Sequence, residues 1–345
     1  MNKGSSPGLS GLSFDMIKQL ADDKYCIAGI KAIVQDIIND KLPKQAKEYL
    51  LSANLIAFPK PNNSLRPIAI SETLYRLAAS YAMSLIDVSG AMKWSPIQFG
   101  VGMSSGSERL VHIINNRLAV DNKICLSIDF RNAFNSIDRN HVVSTFYNHI
   151  EFQPLFRIVN FSYSEPTPLF AMNQDGQLAQ LMTSHNGVRQ GDPLSALLFA
   201  MAVNDMYSQV ESMHRVEVMA YLDDCYVIAE PQDSEQLILA YNSLERLADQ
   251  IGLQVQPAKS MAIDFNSNID TASLLELETL HIPIQTLCAP VLGTVVSKNM
   301  VALQNVLLAQ TTEQHSTLMR LLECRHMPTQ LAMLFIRICT TPKLN

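Results

Sequence analysis

The chain has 345 residues, of which 48% are hydrophobic and 17% are charged, and this composition excludes a disordered or low-complexity protein. The net charge of −6 hides an asymmetry, because residues 1–120 carry 13 basic and 9 acidic residues, which leaves 13 basic and 23 acidic residues for the rest. The basic region of residues 1–120 could bind phosphate groups. The acidic remainder is either a solvated face or a place where carboxylates gather around cations.

Helical periodicity dominates the first 120 residues and surrounds one predicted hairpin. The predicted helical stretches are Phe14–Ile38, Ser71–Val88 and Ser107–Val120. The predicted strands are Asn54–Phe58 and Arg66–Ile70, joined by a turn over residues 61–64. The sequence therefore predicts a strand hairpin between helices.

Strands and helices alternate in the second part of the chain. The predicted strands are Lys123–Asp129, a pair within Pro168–Met182, Val216–Leu222, Cys225–Ala229 and short strands up to Val296. The predicted helices are Arg139–Ile150, one with Asp192 as N-cap and Pro193 as its first residue, Ser234–Ile251, and two that end near Ile338. This order predicts an α+β protein.

No apolar run reaches the roughly 18 residues that a membrane-spanning helix needs, so we expect a soluble protein without a membrane partner. The six cysteines, at positions 26, 125, 225, 288, 324 and 339, include no closely spaced pair. This spacing indicates neither a zinc site nor a disulfide framework and favours an intracellular, reducing compartment, with nucleus and cytoplasm both open.

Three aspartates stand at predicted strand ends. Asp129 closes the strand that begins near Lys123, and Asp223 and Asp224 form the tip of a hairpin. Aspartate is a common turn residue, so each alone has a structural explanation. Adjacent carboxylates in an apolar hairpin repel one another, however, and a divalent cation such as Mg²⁺ would offset that repulsion. The three acids together predict a Mg²⁺ site for phosphoryl transfer.

Three motifs follow one another in an order that resembles motifs A, B and C of reverse transcriptases. They are Asp129-(x)₃-Ala133-Phe134, Gln190-Gly191-Asp192-Pro193-Leu194-Ser195 and Tyr221-Leu222-Asp223-Asp224. Further segments are similar to other parts of the same family: Pro7–Gly11, Ile56–Pro61, Leu65–Ile68, Gln98–Gly100, Pro257–Ser260 and Val291–Thr294. The match is best with proteins of non-LTR retrotransposons.

The resemblance implies a right-hand polymerase fold with an antiparallel, ferredoxin-like palm sheet backed by helices. It places the fingers at residues 1–122, the palm with interleaved fingers segments at 123–285, and a primer grip with a partial helical thumb at 286–345. The chain ends soon after the start of that thumb, as is typical of a piece of a larger retroelement polyprotein.

The resemblance also assigns roles to the acids and the cations. Asp129 and Asp223 would bind two Mg²⁺ ions, for which Mn²⁺ could substitute, and Asp224 would support the site. Lys60 and Arg66 would hold the incoming triphosphate, although a solvated hairpin explains them as well. Lys259 would protonate pyrophosphate, or it is simply a solvated lysine.

The remaining assigned residues contact the nucleotide. Gln190 and Gly191 would lie against the new base pair, although Gly191 could also serve only the turn before the helix. Phe134 would sit beneath the sugar and exclude a ribose, or it fills the core behind the turn. The implied activity is RNA-directed DNA polymerisation from deoxynucleoside triphosphates (dNTPs), with an RNA template and a DNA primer as partners.

Two alternatives remain open. One is an enzyme like RNA-dependent RNA polymerases, which share the palm, and Phe134 argues against it. The other is a catalytically silent, domesticated nucleic-acid-binding remnant, which would have no need of three clustered acids.

Overall fold

The structure is a computed structural model that describes residues 4–59, 65–92, 96–172 and 177–322, together with residues 327, 328, 330, 331 and 333. Its helices are α1 (Phe14–Leu20), α2 (Lys24–Ile38), α3 (Lys44–Leu51), α4 (Thr73–Ser84), α5 (Val88–Ala91), α6 (Gly106–Ala119), α7 (Ala133–Ser136), α8 (Arg139–Tyr147), α9 (Phe156–Tyr163), α10 (Ser195–Met213), α11 (Ser234–Gln250), α12 (Thr271–Thr279) and α13 (Met300–Leu322). Its strands are β1 (Ala53–Pro59), β2 (Leu65–Ser71), β3 (Ile124–Ile128), β4 (Thr167–Met172), β5 (Leu178–Ser184), β6 (Glu217–Tyr221), β7 (Asp224–Ala229), β8 (Met261–Ile263), β9 (Ile284–Gln285), β10 (Ala289–Val291) and β11 (Thr294–Val296). The predicted α+β class is thereby confirmed.

The central sheet has the strand order β6-β7-β3-β8-β9. Its first four strands pair antiparallel, and the short strand β9 joins β8 in parallel. Strands β3 and β7 are buried along almost their whole length, because helices cover one face of the sheet and the β10–β11 hairpin packs on the other. This sheet carries the three aspartates of the predicted site at its strand ends.

A second sheet has the order β2-β1-β4-β5 and carries the predicted hairpin. Strands β1 and β2 pair antiparallel from Ala53↔Ser71 to Pro59↔Leu65, as two strand-like runs joined by a turn predict. The connecting turn, including Lys60, lies outside the described residues. Residues 173–176 at the tip of the β4–β5 hairpin also lie outside them.

The main core is built around α10, whose residues from Leu197 to Val203 are all buried. Helices α4, α8, α9 and α11 and the strands of the central sheet add apolar side chains to it. A smaller cluster on the opposite face of the central sheet joins α6 to β10 and β11. No described helix has the length and apolar character that crossing a bilayer requires.

Several predicted boundaries are wrong for local reasons. The first helical stretch divides into α1 and α2, because the Asp23 carboxylate accepts hydrogen bonds from the N–H groups of Tyr25 and Cys26 and so starts a new helix. Helix α10 begins at Ser195, and Asp192 instead heads the turn that precedes it. Helices α3, α5, α7, α9 and α12 were not predicted from the sequence. The second C-terminal helix falls largely outside the described residues.

Candidate active site

Strand register brings the three aspartates to one end of the central sheet. Ile128 of β3 lies opposite Cys225 of β7, so Asp129 and Asp224, the next residues outward, are neighbours across the two strands. The β6–β7 connection is a two-residue loop, Leu222-Asp223, because Tyr221 pairs with Asp224. The loop is therefore one residue earlier than predicted, and Asp224 belongs to the strand.

Negative charge is concentrated at this strand end. Burial, followed by repulsion from Asp223 and Asp129, raises the pKa of Asp224 from 3.8 to about 6. One ammonium group lies nearby, since Lys259 Nζ is 3.8 Å from Asp129 Oδ2. The backbone holds this lysine segment in place, because the Gln256 N–H donates to the Asp129 carbonyl and the Ser260 hydroxyl accepts from the Asp129 N–H.

The donor set suits a hard divalent cation. The carboxylates of Asp129, Asp223 and Asp224 supply oxygen ligands, and the pKa of Asp224 is raised first by burial and then by repulsion from the other two. Among the described residues, no three metal-ligating side chains converge on one point. Mg²⁺ does not need such a cage, because it is usually bound through one or two carboxylates, water and substrate phosphates.

The three aspartates line a cleft of about 820 Å³ that lies between the two sheets. The structure places every described residue of the predicted site on its walls: Arg66, Asp129, Phe134, Gln190, Gly191, Asp223, Asp224 and Lys259. Lys60 cannot be placed, since it lies outside the described residues. A cavity of this size accommodates a ligand larger than a single phosphate.

Phe134 serves the core and the cleft at once. Its ring is half-buried and stacks on Phe199 of α10, with the ring centroids 4.5 Å apart and the planes 8° from parallel. The same side chain lines the cleft. The two readings that the sequence leaves open for Phe134 are therefore compatible with each other.

Gly191 lets the segment before α10 approach strand β2. The Gln190 carbonyl accepts a hydrogen bond of 2.9 Å from the Ala69 N–H. Gly191 has a φ of 102°, and a Cβ at this position would lie 3.0 Å from the Ala69 oxygen. The turn and the close approach both require glycine here, and they bring the Gln190 segment against the strand that carries Arg66.

A buried ion pair that was not predicted from the sequence fixes this segment. Arg189 and Asp192 are almost fully buried, with Nη2 of the arginine 2.7 Å from Oδ2 of the aspartate. The Tyr75 hydroxyl donates to the same oxygen at 2.7 Å, and Arg189 also donates to the Thr167 hydroxyl. The i, i+3 spacing of opposite charges was the only local signal, and it is common on exposed helices as well.

Arg139 holds the loop of residues 184–187, and this contact too was not predicted from the sequence. Its guanidinium donates to the carbonyls of Ser184, Asn186 and Gly187. A Cβ on Gly187 would lie 2.3 Å from the Phe134 carbonyl, so this loop packs tightly against the start of α7. Arg139 and Arg189 together anchor the backbone that leads to Gln190.

Comparison with known proteins identifies relatives of this chain. A sequence profile of the family described as reverse transcriptase (RNA-dependent DNA polymerase) matches residues 58–294, a range that contains every predicted site residue. The retrotransposable element SLACS 132 kDa protein of Trypanosoma brucei gambiense is 30% identical over 70% of this chain. A reverse transcriptase-like protein of Chlamydomonas reinhardtii is 25% identical over 58%. The matched regions amount to 20% and 50% of these two relatives.

Proposed function

The chain belongs to the reverse transcriptase family, and we propose that it is an RNA-directed DNA polymerase that extends a DNA primer on an RNA template. The observation that carries this proposal is that Asp129, Asp223 and Asp224 line one cleft together with two cationic side chains, Arg66 and Lys259. The similarity to a retrotransposable element protein supports an origin in a non-LTR retroelement and a setting within a larger polyprotein.

We propose the right-hand organisation for the chain, with fingers at residues 1–122, palm at 123–285, and primer grip and partial thumb at 286–345. The cleft supports this division, because the β1–β2 hairpin forms one wall and the central sheet forms the other. The β10–β11 hairpin, the proposed primer grip, packs on β7, the strand that begins with Asp224.

Asp129 and Asp223 would hold two Mg²⁺ ions, or Mn²⁺ in their place, and Asp224 would support them. When bound, such ions activate the primer 3′-hydroxyl and stabilise the leaving pyrophosphate. The primer 3′-oxygen, whose proton passes to water, forms a bond to the α-phosphorus while the bond from that phosphorus to the oxygen bridging the α- and β-phosphates breaks, and pyrophosphate leaves. Lys259, on the same wall, would deliver the proton that the pyrophosphate needs.

The other wall of the cleft would position the nucleotide. Arg66, exposed at the start of β2, would bind the triphosphate through its guanidinium together with Lys60. Gln190 and Gly191 would lie against the newly formed base pair. Phe134 would pack beneath the sugar, where an apolar ring offers no partner to a 2′-hydroxyl.

Primer extension on an RNA template tests this proposal, with Mg²⁺ and either dNTPs or ribonucleotides. We expect the wild-type chain to incorporate dNTPs. Asp223→Asn should abolish extension, and Asp249→Asn, a matched change on the exposed surface of α11, should leave extension intact. A wild-type chain that binds primer and template but incorporates neither dNTPs nor ribonucleotides would refute the proposed polymerase activity and favour the silent binding module. Equal use of ribonucleotides would favour an RNA polymerase instead.

A further inference from the structure

The loop that carries Asp223 contains a strained residue. Leu222 has a φ of 57°, in the left-handed region that a leucine rarely adopts. Two-residue hairpin loops favour positive φ values, but Asn, Asp or Gly normally supply them. Strain of this kind persists only where surrounding contacts enforce it, and it is common at active sites. Because Asp223 is the next residue, the conformation of Leu222 sets the direction of its carboxylate.

Gln98 contacts both ends of the Leu222 residue. Its Oε1 accepts a hydrogen bond of 2.8 Å from the Leu222 N–H and a second, of 3.3 Å, from the Gly100 N–H. Its Nε2 donates to the Leu222 carbonyl at 3.3 Å. Two N–H donors face the same amide atom, which fixes that atom as the oxygen. The Gln98 side chain is thus matched to this one loop conformation.

The backbone around Gln98 is itself fixed to β6. The Phe99 N–H donates to the Ala220 carbonyl, and the Ala220 N–H donates to the Ile97 carbonyl, both at 2.8 Å. Gln98 is only 2% exposed, so water does not compete for its amide. The hydrogen bonds between Gln98 and Leu222, called the clamp below, are therefore anchored to the central sheet.

Two further residues complete the contact. The hydroxyl of Tyr207, a fully buried residue of α10, donates to the Leu222 carbonyl at 3.4 Å from the core side. A Cβ on Gly100 would lie 2.7 Å from Leu222 Cγ, so glycine alone leaves room for the leucine there. The Leu222 residue is enclosed by buried groups on two sides.

We propose that Gln98 and Tyr207 are positioning residues that hold Leu222 in its left-handed conformation and thereby aim the Asp223 carboxylate. This inference rests on the proposed polymerase activity, and it concerns alignment rather than substrate contact. A displacement of about 1 Å at a reacting group costs roughly 100-fold in rate. Loss of the clamp should consequently lower kcat and leave the KM for dNTP nearly unchanged.

Substitutions that keep side-chain size separate alignment from packing. Gln98→Met retains the length and removes three hydrogen bonds, and we expect kcat to fall roughly 100-fold. Tyr207→Phe removes one hydrogen bond, with an expected loss of about 2- to 10-fold. Tyr241→Phe is the matched control, because Tyr241 is an equally buried tyrosine in α11 whose hydroxyl contacts no described hydrogen-bond partner. It should behave as wild type.

Amide hydrogen exchange supplies a readout that does not depend on activity. In Gln98→Met, the peptide covering residues 217–226 should exchange faster than in wild type, and β3 should stay protected. A residue that tolerates a positive φ should also reduce the dependence on the clamp. In a Leu222→Asn background, we therefore expect Gln98→Met to cost about 10-fold rather than about 100-fold.

The outcomes distinguish the two proposals. A wild-type chain without polymerase activity would refute the proposed function, and the exchange experiment would still test the clamp. An active wild type, with unchanged kcat and unchanged exchange in Gln98→Met, would refute the positioning role. An equal loss with leucine or asparagine at position 222 would also refute it. Should Gln98→Met fail to fold, Tyr207→Phe carries the same test.

Discussion

Phe134→Ala separates a role in nucleotide selection from a role in the core. The ring is half-buried and stacks on Phe199, and an aromatic pair of this kind contributes about 0.5–1.5 kcal/mol beyond its buried area. Truncating a fully buried phenylalanine costs about 3–5 kcal/mol. Because one side of the Phe134 ring faces the open cleft, we expect a loss of about 2 kcal/mol in the free energy of unfolding, which leaves the protein folded.

The same change should relax discrimination against ribonucleotides. A 2′-hydroxyl buried against an apolar ring lacks a hydrogen-bond partner, at a cost of about 1–3 kcal/mol. At 1.36 kcal/mol per tenfold, this cost corresponds to about 5- to 160-fold in kcat/KM. We therefore expect Phe134→Ala to reduce the ratio of kcat/KM for dNTPs to kcat/KM for ribonucleotides by that factor, mainly by improving ribonucleotide incorporation.

Single-nucleotide incorporation with matched dNTPs and ribonucleotides measures the ratio, and thermal unfolding measures the stability. Phe156→Ala is the control, because Phe156 is also half-buried and packs edge-on against Phe146 at 5.6 Å between centroids, away from the cleft. It should lose similar stability and keep wild-type selectivity. A parallel loss of both activities in Phe134→Ala, with an unchanged ratio, would show that the ring serves only the core.

Three further changes have defined outcomes. Arg66→Ala should raise the KM for dNTP by about 10- to 100-fold, because a charge-assisted contact to the triphosphate is lost, whereas template affinity in a filter-binding assay should stay unchanged. Asp192→Asn breaks a buried ion pair and should lower the free energy of unfolding by about 3–5 kcal/mol in urea titrations, whereas Glu165→Gln, which breaks the exposed pair with Lys44, should cost less than about 1 kcal/mol. Asp270 has its pKa lowered to about 2, first by the Ser234 hydroxyl, so its contribution to stability is complete above about pH 4 and lost as the pH falls towards 2. Asp270→Asn should flatten this part of the stability profile, and an unchanged slope would contradict the assignment.

The sequence by itself determined the local elements and the types of the site residues. Short apolar runs next to turn residues predict β1, β2, β6 and β7, because such a signal depends only on neighbouring positions. Acids placed directly after such strands must lie at a sheet edge. The motif order added the family, which the match over residues 58–294 confirms.

Helix boundaries were harder to predict than the helices themselves, because several groups compete for the hydrogen bonds that decide where a helix begins. Asp192 was expected to cap α10, but one of its oxygens is held by the Arg189 guanidinium and the Tyr75 hydroxyl. Its other oxygen accepts from the Leu194 N–H in a turn before the helix. The tyrosine lies 117 residues away in the sequence, so a local pattern carries no information about it.

Only the tertiary structure decided how the site is assembled. The register of β3 against β7 makes Asp129 and Asp224 neighbours, and nothing within either strand specifies that pairing. The stacking of Phe134 on Phe199 and the contact of Gln98 with Leu222 likewise join segments that are distant in sequence. Such contacts depend on how buried surfaces fit together across the whole core, whereas a sequence pattern reports only the period of one element at a time.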